Sequence, residues 1–421
     1  GGGNIGCMTA LSLVERGLRV VLCEKGVIAG EASGRSLGYI DGQFLDPVKI
    51  EIVARSKALW ADMNRRVGAE TGYRRPGLAA LFSTPQSVEW AAGWLESAKG
   101  APSIDARMLT AAQAAEMAGG STESFVGGIY QASDAVAEPQ LAASAMAEAF
   151  RRRGGVILQG CAARGIEMSA GRVSSVVTEK GAILCGAVVL AGGAWSPVFA
   201  RSLGLDLPQF MAFSGIARLS PPSGGPSPQI PLVFERSGVI MRPTLSGAYD
   251  VCAAIGTTPI TPAILGDLPR LLPAFRAMGS QVRPVLNVQT FMDQWRIPKH
   301  WKLDEASPFE RNRILMPETR HRLLDAVVGD FKAAYPTFGD SRLVETWSGA
   351  LTSTLDNMPV LSPVSQTPGL FVGSGFYYGL TMAPAAGEAL ADLVTGAKPS
   401  IDLSPYRFSR FSDGSKLEFR G

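Results

Sequence analysis

A chain of 421 residues with 46% hydrophobic and 18% charged side chains is long enough for two domains and too apolar to be disordered. Its net charge of +3, with no basic run longer than Arg151-Arg152-Arg153, argues against nucleic acid as a partner. Two histidines (His300, His321) and five dispersed cysteines without a C-x-x-C leave no material for a metal site or a redox dithiol, so none is expected.

Gly1, Gly3 and Gly6 stand at G-x-G-x-x-G spacing, with Asn4 and Ile5 inside the turn. This spacing suits a tight turn, close approach of backbone to a pyrophosphate, and close helix packing. A helix is predicted from about Cys7 to Arg16, stopped by Gly17, and Arg19–Cys23 reads as a buried strand. The acid ending it, Glu24, followed by Lys25, stands where a carboxylate accepts ribose hydroxyls. Because the fingerprint normally follows a strand, one of ~5–6 residues is expected upstream of Gly1.

Ser33-Gly34-Arg35-Ser36 lies in a small, polar loop that reads as a second clamp beside the phosphates. Asp46-Pro47 opens a helix whose stripe of Ile52, Leu59, Trp60 and Met63 faces a core. A strand over Leu78–Phe82 and a helix over Trp90–Lys99 follow, then a strand at Gly128-Ile129-Tyr130 and a helix started by Glu138-Pro139 and ended by Gly154-Gly155. Val156–Gln159 and Val173–Thr178 are strand-like, and Ala187–Ala191 is a strand running into Gly192-Gly193-Ala194-Trp195.

From Met211 to about Tyr335 the helix–strand alternation weakens. Gly238–Pro243 and Ala248–Ile255 read as paired antiparallel strands, with helices from Leu268 and Glu318. A strand near Leu343–Trp347 precedes a predicted loop, and Leu370-Phe371-Val372 leads through Gly373, Gly375 and Phe376 to Gly379-Leu380-Thr381 and a helix over Ala385–Thr395. A glycine-rich loop feeding a helix start offers free N–H groups to developing negative charge on a ligand. The uncharged stretch Asn357–Gly387 is punctuated by prolines and glycines and is not a membrane span.

In this order the motifs resemble the FAD-dependent amino-acid and amine oxidoreductases of the D-amino-acid oxidase type, which include glycine oxidase, sarcosine oxidase and D-amino-acid dehydrogenases. The resemblance spans essentially the whole chain. Besides the opening fingerprint it rests on Ser33–Ser36, Ala191–Ser196, Trp347-Ser348-Gly349 with Leu355-Asp356 and Pro359, and Gly379–Ala385. It implies an α/β fold, α+β overall, with a Rossmann-like FAD domain (1–45, 127–210, 336–421) interleaved with a mixed-sheet substrate domain (46–126, 211–335). It also implies adenine held by backbone near Ala163.

Two departures stand out. Glycine oxidase carries a substrate-binding arginine after its tryptophan motif, where this chain has Leu351; many relatives carry a histidine before the last glycine loop, where it has Ser374-Gly375. The second departure argues for non-covalent FAD. For an amino-acid carboxylate, a planar arginine fork is the natural partner, and Arg242 is the first candidate, ahead of Arg74 and Arg75. Tyr249, Tyr377 and Tyr378 are candidate hydroxyl donors to the substrate. No lysine occurs between Lys180 and Lys299, which argues for a dehydrogenase serving a quinone, dye or protein acceptor over a fast oxidase.

Two function classes follow. One is an enzyme oxidising a D-amino acid, imino acid, N-alkyl amino acid or opine; the other is a flavin-carrying subunit of a hetero-oligomeric dehydrogenase with a degenerate substrate site. The reading places the protein in the cytoplasm or peripherally at the inner face of a membrane.

Overall fold

The computed structural model describes residues 1–254, 256–279 and 282–421. Its first helix, Asn4–Glu15, starts three residues earlier than expected because Gly3 serves as its N-cap without a side-chain cap, leaving first-turn N–H groups free for other partners. Gly17, at φ +80°, follows its end. The Val21–Cys23 strand pairs in parallel with Val156–Leu158, and Val188–Leu190 pairs in parallel with Leu370–Ser374, which is joined antiparallel by Val360–Pro363. The first helix packs between Pro139–Arg152 and the final helix, Gly379–Thr395, around a core that includes Met8, Leu11, Trp60, Met146 and Phe150. Gly387 lets the first and last helices touch backbone to backbone: a Cβ there would lie 2.7 Å from the Met8 carbonyl carbon.

The final helix begins at Gly379, six residues before the expected Ala385. Pro384 sits inside the helix, and its missing N–H leaves the Leu380 carbonyl without its usual partner. Trp60 Nε1 donates to that carbonyl at 3.1 Å, and Ser56 Oγ accepts from Ala385 N–H at 3.1 Å. Both partners lie on the Pro47–Ala61 helix, so the tolerated proline also fastens two helices together.

The second layer is a ten-stranded mixed sheet. It runs Val282–Val285, Gly256–Pro259, Gln209–Leu219, Tyr249–Ala253, Val239–Pro243, Leu232–Phe234, Leu78–Phe82, Gly127–Gln131 and Ala106–Thr110, with Leu343–Thr354 also paired to Gln209–Leu219. The expected antiparallel pair therefore exists as Val239–Pro243 against Tyr249–Ala253; residue 255 lies outside the described residues. Gly127–Gln131 and Leu343–Thr354 both belong to this sheet, so boundaries drawn at 127 and 336 cut through it.

The largest misreading lies at Leu343–Thr354. The Ser348-Gly349 step looks like the end of a strand, yet the strand continues for twelve residues because it pairs antiparallel along almost the whole of Gln209–Leu219. The helix expected over Trp90–Lys99 begins at Pro85, with Thr84 as N-cap, and the helix expected from Glu318 begins at His321.

Candidate active site

One cavity of 1620 Å³ runs from the opening glycines to the inner face of the large sheet. Part of it lies between the edges of Val21–Cys23 and Val188–Leu190, both of which line it. Of the sequence-predicted cofactor residues, Gly1, Gly3, Asn4, Ile5, Gly6, Glu24, Lys25, Ser33, Arg35, Ser36, Ala163, Gly192, Gly193, Trp195, Gly375, Phe376, Gly379, Leu380 and Thr381 all line it. Gly34 does not; it packs against the Ala29 backbone in the same short turn, and a Cβ there would overlap the Ala29 carbonyl oxygen.

The phosphate end is built by backbone crowding. A Cβ on Gly6 would overlap the Gly1 carbonyl oxygen, and one on Gly1 would overlap that of Ala191, so the turn closes only with glycine at these positions. Asn4 N–H donates to Ser33 Oγ at 2.9 Å, tying the first turn to the second clamp. Glu24 accepts from Gly2 N–H and Gly26 N–H, each at 2.7 Å. Lys25 Nζ contacts Glu31 at 2.6 Å and lies 4.7 Å from the centre of the Trp195 ring, while Trp195 Nε1 donates to Glu31 at 3.1 Å. Gly193 and Gly375 both have positive φ, +52° and +78°. Gln209 joins these two glycine loops: its Nε2 donates to the Gly193 carbonyl at 3.0 Å and its Oε1 accepts from Ser374 Oγ at 2.9 Å.

This arrangement fits a dinucleotide. Glycines clear a cradle, an uncapped helix start faces it, an acid ends the adjacent strand, and the buried Asn4 Oδ1 and Ser36 Oγ have no protein partner. Glu24→Ala is expected to weaken flavin retention by one to two decades, the equivalent of a charged hydrogen bond worth ~1.5–3 kcal/mol. It also frees two N–H groups of the turn; flavin occupancy unchanged after dialysis would contradict the assignment.

The substrate candidates divide. Tyr377 and Tyr378 line the cavity, their rings 5.1 Å apart. Arg242 and Tyr249 do not line it, and both expectations are corrected here. The Tyr249 hydroxyl donates to Pro228 O at 3.0 Å and its ring packs on Phe338, so it is a core residue under the sheet. Arg242 is fully buried, with its fork on Glu138 at 2.8 and 3.1 Å and on Asp250 at 2.9 Å. Arg218 and Arg74 complete the network, on Asp250 at 2.7 Å and Glu138 at 3.2 Å respectively. The strand position of Arg242 suggested a pocket residue, but the two acids Glu138 and Asp250 hold its fork in the interior. Arg75 does not line the cavity either.

Sequence reasoning missed Tyr39, Asp41, Cys252 and Thr352, which line the wall facing Tyr377 and Tyr378 or adjoin it. Asp41 is half-buried, its N–H donating to Thr381 Oγ1 at 3.3 Å and its Oδ1 lying 3.2 Å from the same hydroxyl. Burial raises the Asp41 carboxyl, opposed by the nearby Lys57 charge. No periodic pattern marks these positions. The signal available was the short acid-glycine step Asp41-Gly42 just beyond the second clamp.

Among the described residues no group of acids, histidines or cysteines could hold a metal ion, and no helix is long and apolar enough to cross a membrane. A family model described as "FAD dependent oxidoreductase" matches residues 1–393. The chain is 24% identical to glycine oxidase of Pseudomonas putida over 96% of both chains, and 24% identical to the sarcosine oxidase beta subunit of an Arthrobacter species over 100% of this chain and 92% of that one. Among solved structures it is similar to an L-amino acid deaminase of Proteus myxofaciens bound to anthranilate, with a TM-score of 0.94 at 33% identity, covering 98% of this chain and 92% of that one. That of Proteus vulgaris follows, with a TM-score of 0.93 at 32% identity over 98% and 96%. The glycine cradle, the acid-ended strand and the late glycine loop thus meet in a fold shared with amino-acid oxidising enzymes, and the chain belongs to the D-amino-acid oxidase-type FAD-dependent oxidoreductases, which oxidise amino acids at their C–N bonds.

Proposed function

We propose that this enzyme binds FAD non-covalently, oxidises an amino acid or secondary amine by hydride loss to an imine that water hydrolyses, and passes its electrons to a quinone, dye or protein acceptor. The observation that carries the reading is that one cavity joins the phosphate cradle to the end lined by Tyr377, Tyr378 and Asp41. FAD supplies the hydride acceptor there; Glu24, the Gly1–Gly6 turn and the Gly375–Thr381 loop would hold it. The protein's own work is positioning, by Tyr377, Tyr378 and the sheet wall.

Non-covalent binding is supported by Ser374 at the position where relatives carry histidine, and by Cys252, whose buried thiol is pushed up to about 12 and stays protonated. The acceptor reading is supported by the cavity's lysine, Lys25, being engaged by Glu31 beside Trp195 at the phosphate end. A peripheral location at a membrane face is supported by exposed Leu265, Leu286, Val288, Trp295 and Met316, clustered in one stretch of sequence. A second reading, a flavin-carrying subunit inside a larger complex, is favoured by the loss of the motif arginine at Leu351.

The test is a panel of D- and L-amino acids, imino acids and opines added anaerobically to purified flavoprotein, then air or a quinone analogue. Bleaching by one class, fast reoxidation by quinone but not by air, and release of the yellow colour by acid are expected. Flavin retained on the acid precipitate sinks the non-covalent claim, and reoxidation in air as fast as turnover with quinone sinks the acceptor claim. No bleaching by any amine transfers support to the subunit reading.

A further inference from the structure

The charges around the substrate end are the reverse of what a carboxylate clamp needs. Among the described residues lining the cavity the cations are Arg19, Lys25, Arg35 and Arg153. Arg19 and Arg153 border the Val21–Cys23 and Val156–Leu158 strands, and Lys25 is paired with Glu31. Arg35 has its guanidinium engaged, donating to the carbonyls of Leu315 and Ser348 at 3.2 and 3.4 Å and to Met316 Sδ at 2.8 Å. Of the acids lining the cavity, Glu24 and Glu31 belong to the phosphate end, and Asp41 stands beside the start of the final helix.

The acid is not neutralised from behind. Lys57 is the nearest cation, but its ammonium is 2.5 Å from Asp134, a buried carboxylate that also accepts from Gln131 Nε2 at 2.7 Å and Gly42 N–H at 2.9 Å. Burial pushes Asp134 up to about 7, and the Lys57 contact opposes that rise, so Lys57 is engaged by Asp134 rather than by Asp41. The other titratable groups facing Asp41 are Tyr39, Tyr377 and Tyr378, whose phenols burial keeps protonated; Lys49 lies behind Tyr378, 5.6 Å from its ring centre. The wall at the tyrosine end thus offers the substrate the Asp41 carboxyl, while Lys25 is held by Glu31 and Arg35 by two carbonyls and a thioether.

We propose that Asp41 receives the ammonium group of the substrate, so that recognition is organised around the amine charge, and that the enzyme accepts amino-acid derivatives whose carboxyl group is amidated or absent. This rests on the reading that an amine is oxidised in this cavity. The ammonium must lose a proton before its α-carbon can give up hydride. One N–H bond breaks, the proton passes to an Asp41 carboxylate oxygen, and the electron pair of that bond remains on the nitrogen as the lone pair that will form the C=N bond. Asp41 becomes a neutral carboxylic acid and returns its proton to solvent through the cavity. Thr381 Oγ1, bonded to Asp41 and seated on the final helix, fixes the acid relative to the glycine loop.

The experiment uses the holoenzyme, anaerobic bleaching of its flavin band, and three matched substrates: a free amino acid, its amide and its decarboxylated amine. Limiting kcat/KM values taken across the pH range remove the differences in amine basicity. The amide or amine is expected to exceed the free acid at least tenfold. Asp41→Asn should lower kcat/KM for the better substrate at least tenfold and abolish the acid limb of its pH profile, with flavin content unchanged; Asp41→Glu should restore part of both. A free acid preferred tenfold, together with loss of that preference in Arg35→Ala, overturns the proposal in favour of a rotated Arg35 clamp. Should Asp41→Asn fail to fold, the wild-type substrate ratio alone decides. If no amine of any class bleaches the flavin, the reading of the cavity as an amine-oxidising site falls along with this one.

Discussion

Replacing Arg242 with alanine is expected to lower global stability by about 3–5 kcal/mol while the folded fraction keeps its flavin. The cost comes from the carboxylates left behind. Glu138 and Asp250 are buried and lose the fork that donates to both, whereas the cavity loses no lining side chain, because Arg242 packs behind Gly38 and does not line it. Burial opposes ionisation of Glu138, but the hydrogen bonds and charge of Arg242 outweigh it and hold the carboxyl below its ordinary range. A carboxylate lowered in this way contributes stability above its unfolded pKa, and that contribution is lost as pH falls through the folded value. The gap between wild type and variant should therefore be full at neutral pH and shrink in acid. Urea unfolding at two pH values checks both parts; coincident midpoints at pH 7 would remove the structural role assigned to this network.

Gly6→Ala is expected to weaken FAD binding at least ~100-fold, corresponding to the ~3 kcal/mol upper range for overpacking a tight site. The new methyl meets the Gly1 carbonyl, a backbone atom that cannot rotate aside, so the turn that cradles the phosphates must open. Gly3→Ala is a graded control. There the nearest atom is Ser33 Oγ at 2.9 Å, a hydroxyl that can turn aside at the cost of its bond from Asn4 N–H, and the loss should be smaller. Titration of apoprotein with FAD measures both. Equal affinity in Gly6→Ala and wild type would show that the turn is not where the pyrophosphate binds.

The nucleotide end was legible because its determinants are local. Gly1, Gly3, Gly6 and Glu24 lie within one turn-helix-strand unit, and the late loop announces itself through Gly373, Gly375 and Gly379. The substrate end was not, because its determinants are pairings across the chain. Glu138 is 104 residues from Arg242, and Thr381 is 340 from Asp41, so neither partnership leaves a spacing to read. Arg242 was therefore misplaced because it sits on a regular strand that looked functional, while Asp41, in a short connection, carried no expectation at all. The Leu343–Thr354 strand failed for a related reason, since Ser348-Gly349 has the composition of a turn and becomes strand only through its partner Gln209–Leu219.

That strand has a bearing on how the enzyme diversifies. Gly349, Ala350, Leu351 and Thr352 line the cavity from a segment hydrogen-bonded along its length, while the Gly1–Gly6 turn and Glu24 belong to a separate layer. Side chains at Ala350, Leu351 and Thr352 can be exchanged without touching the backbone hydrogen bonds of the ladder, whereas Gly349 is fixed by the Arg35 backbone, which a Cβ there would approach at 3.3 Å. Substrate choice is in this sense modular: mutation can explore new amines on one wall of the cavity while inheritance of the cofactor site stays intact on the other.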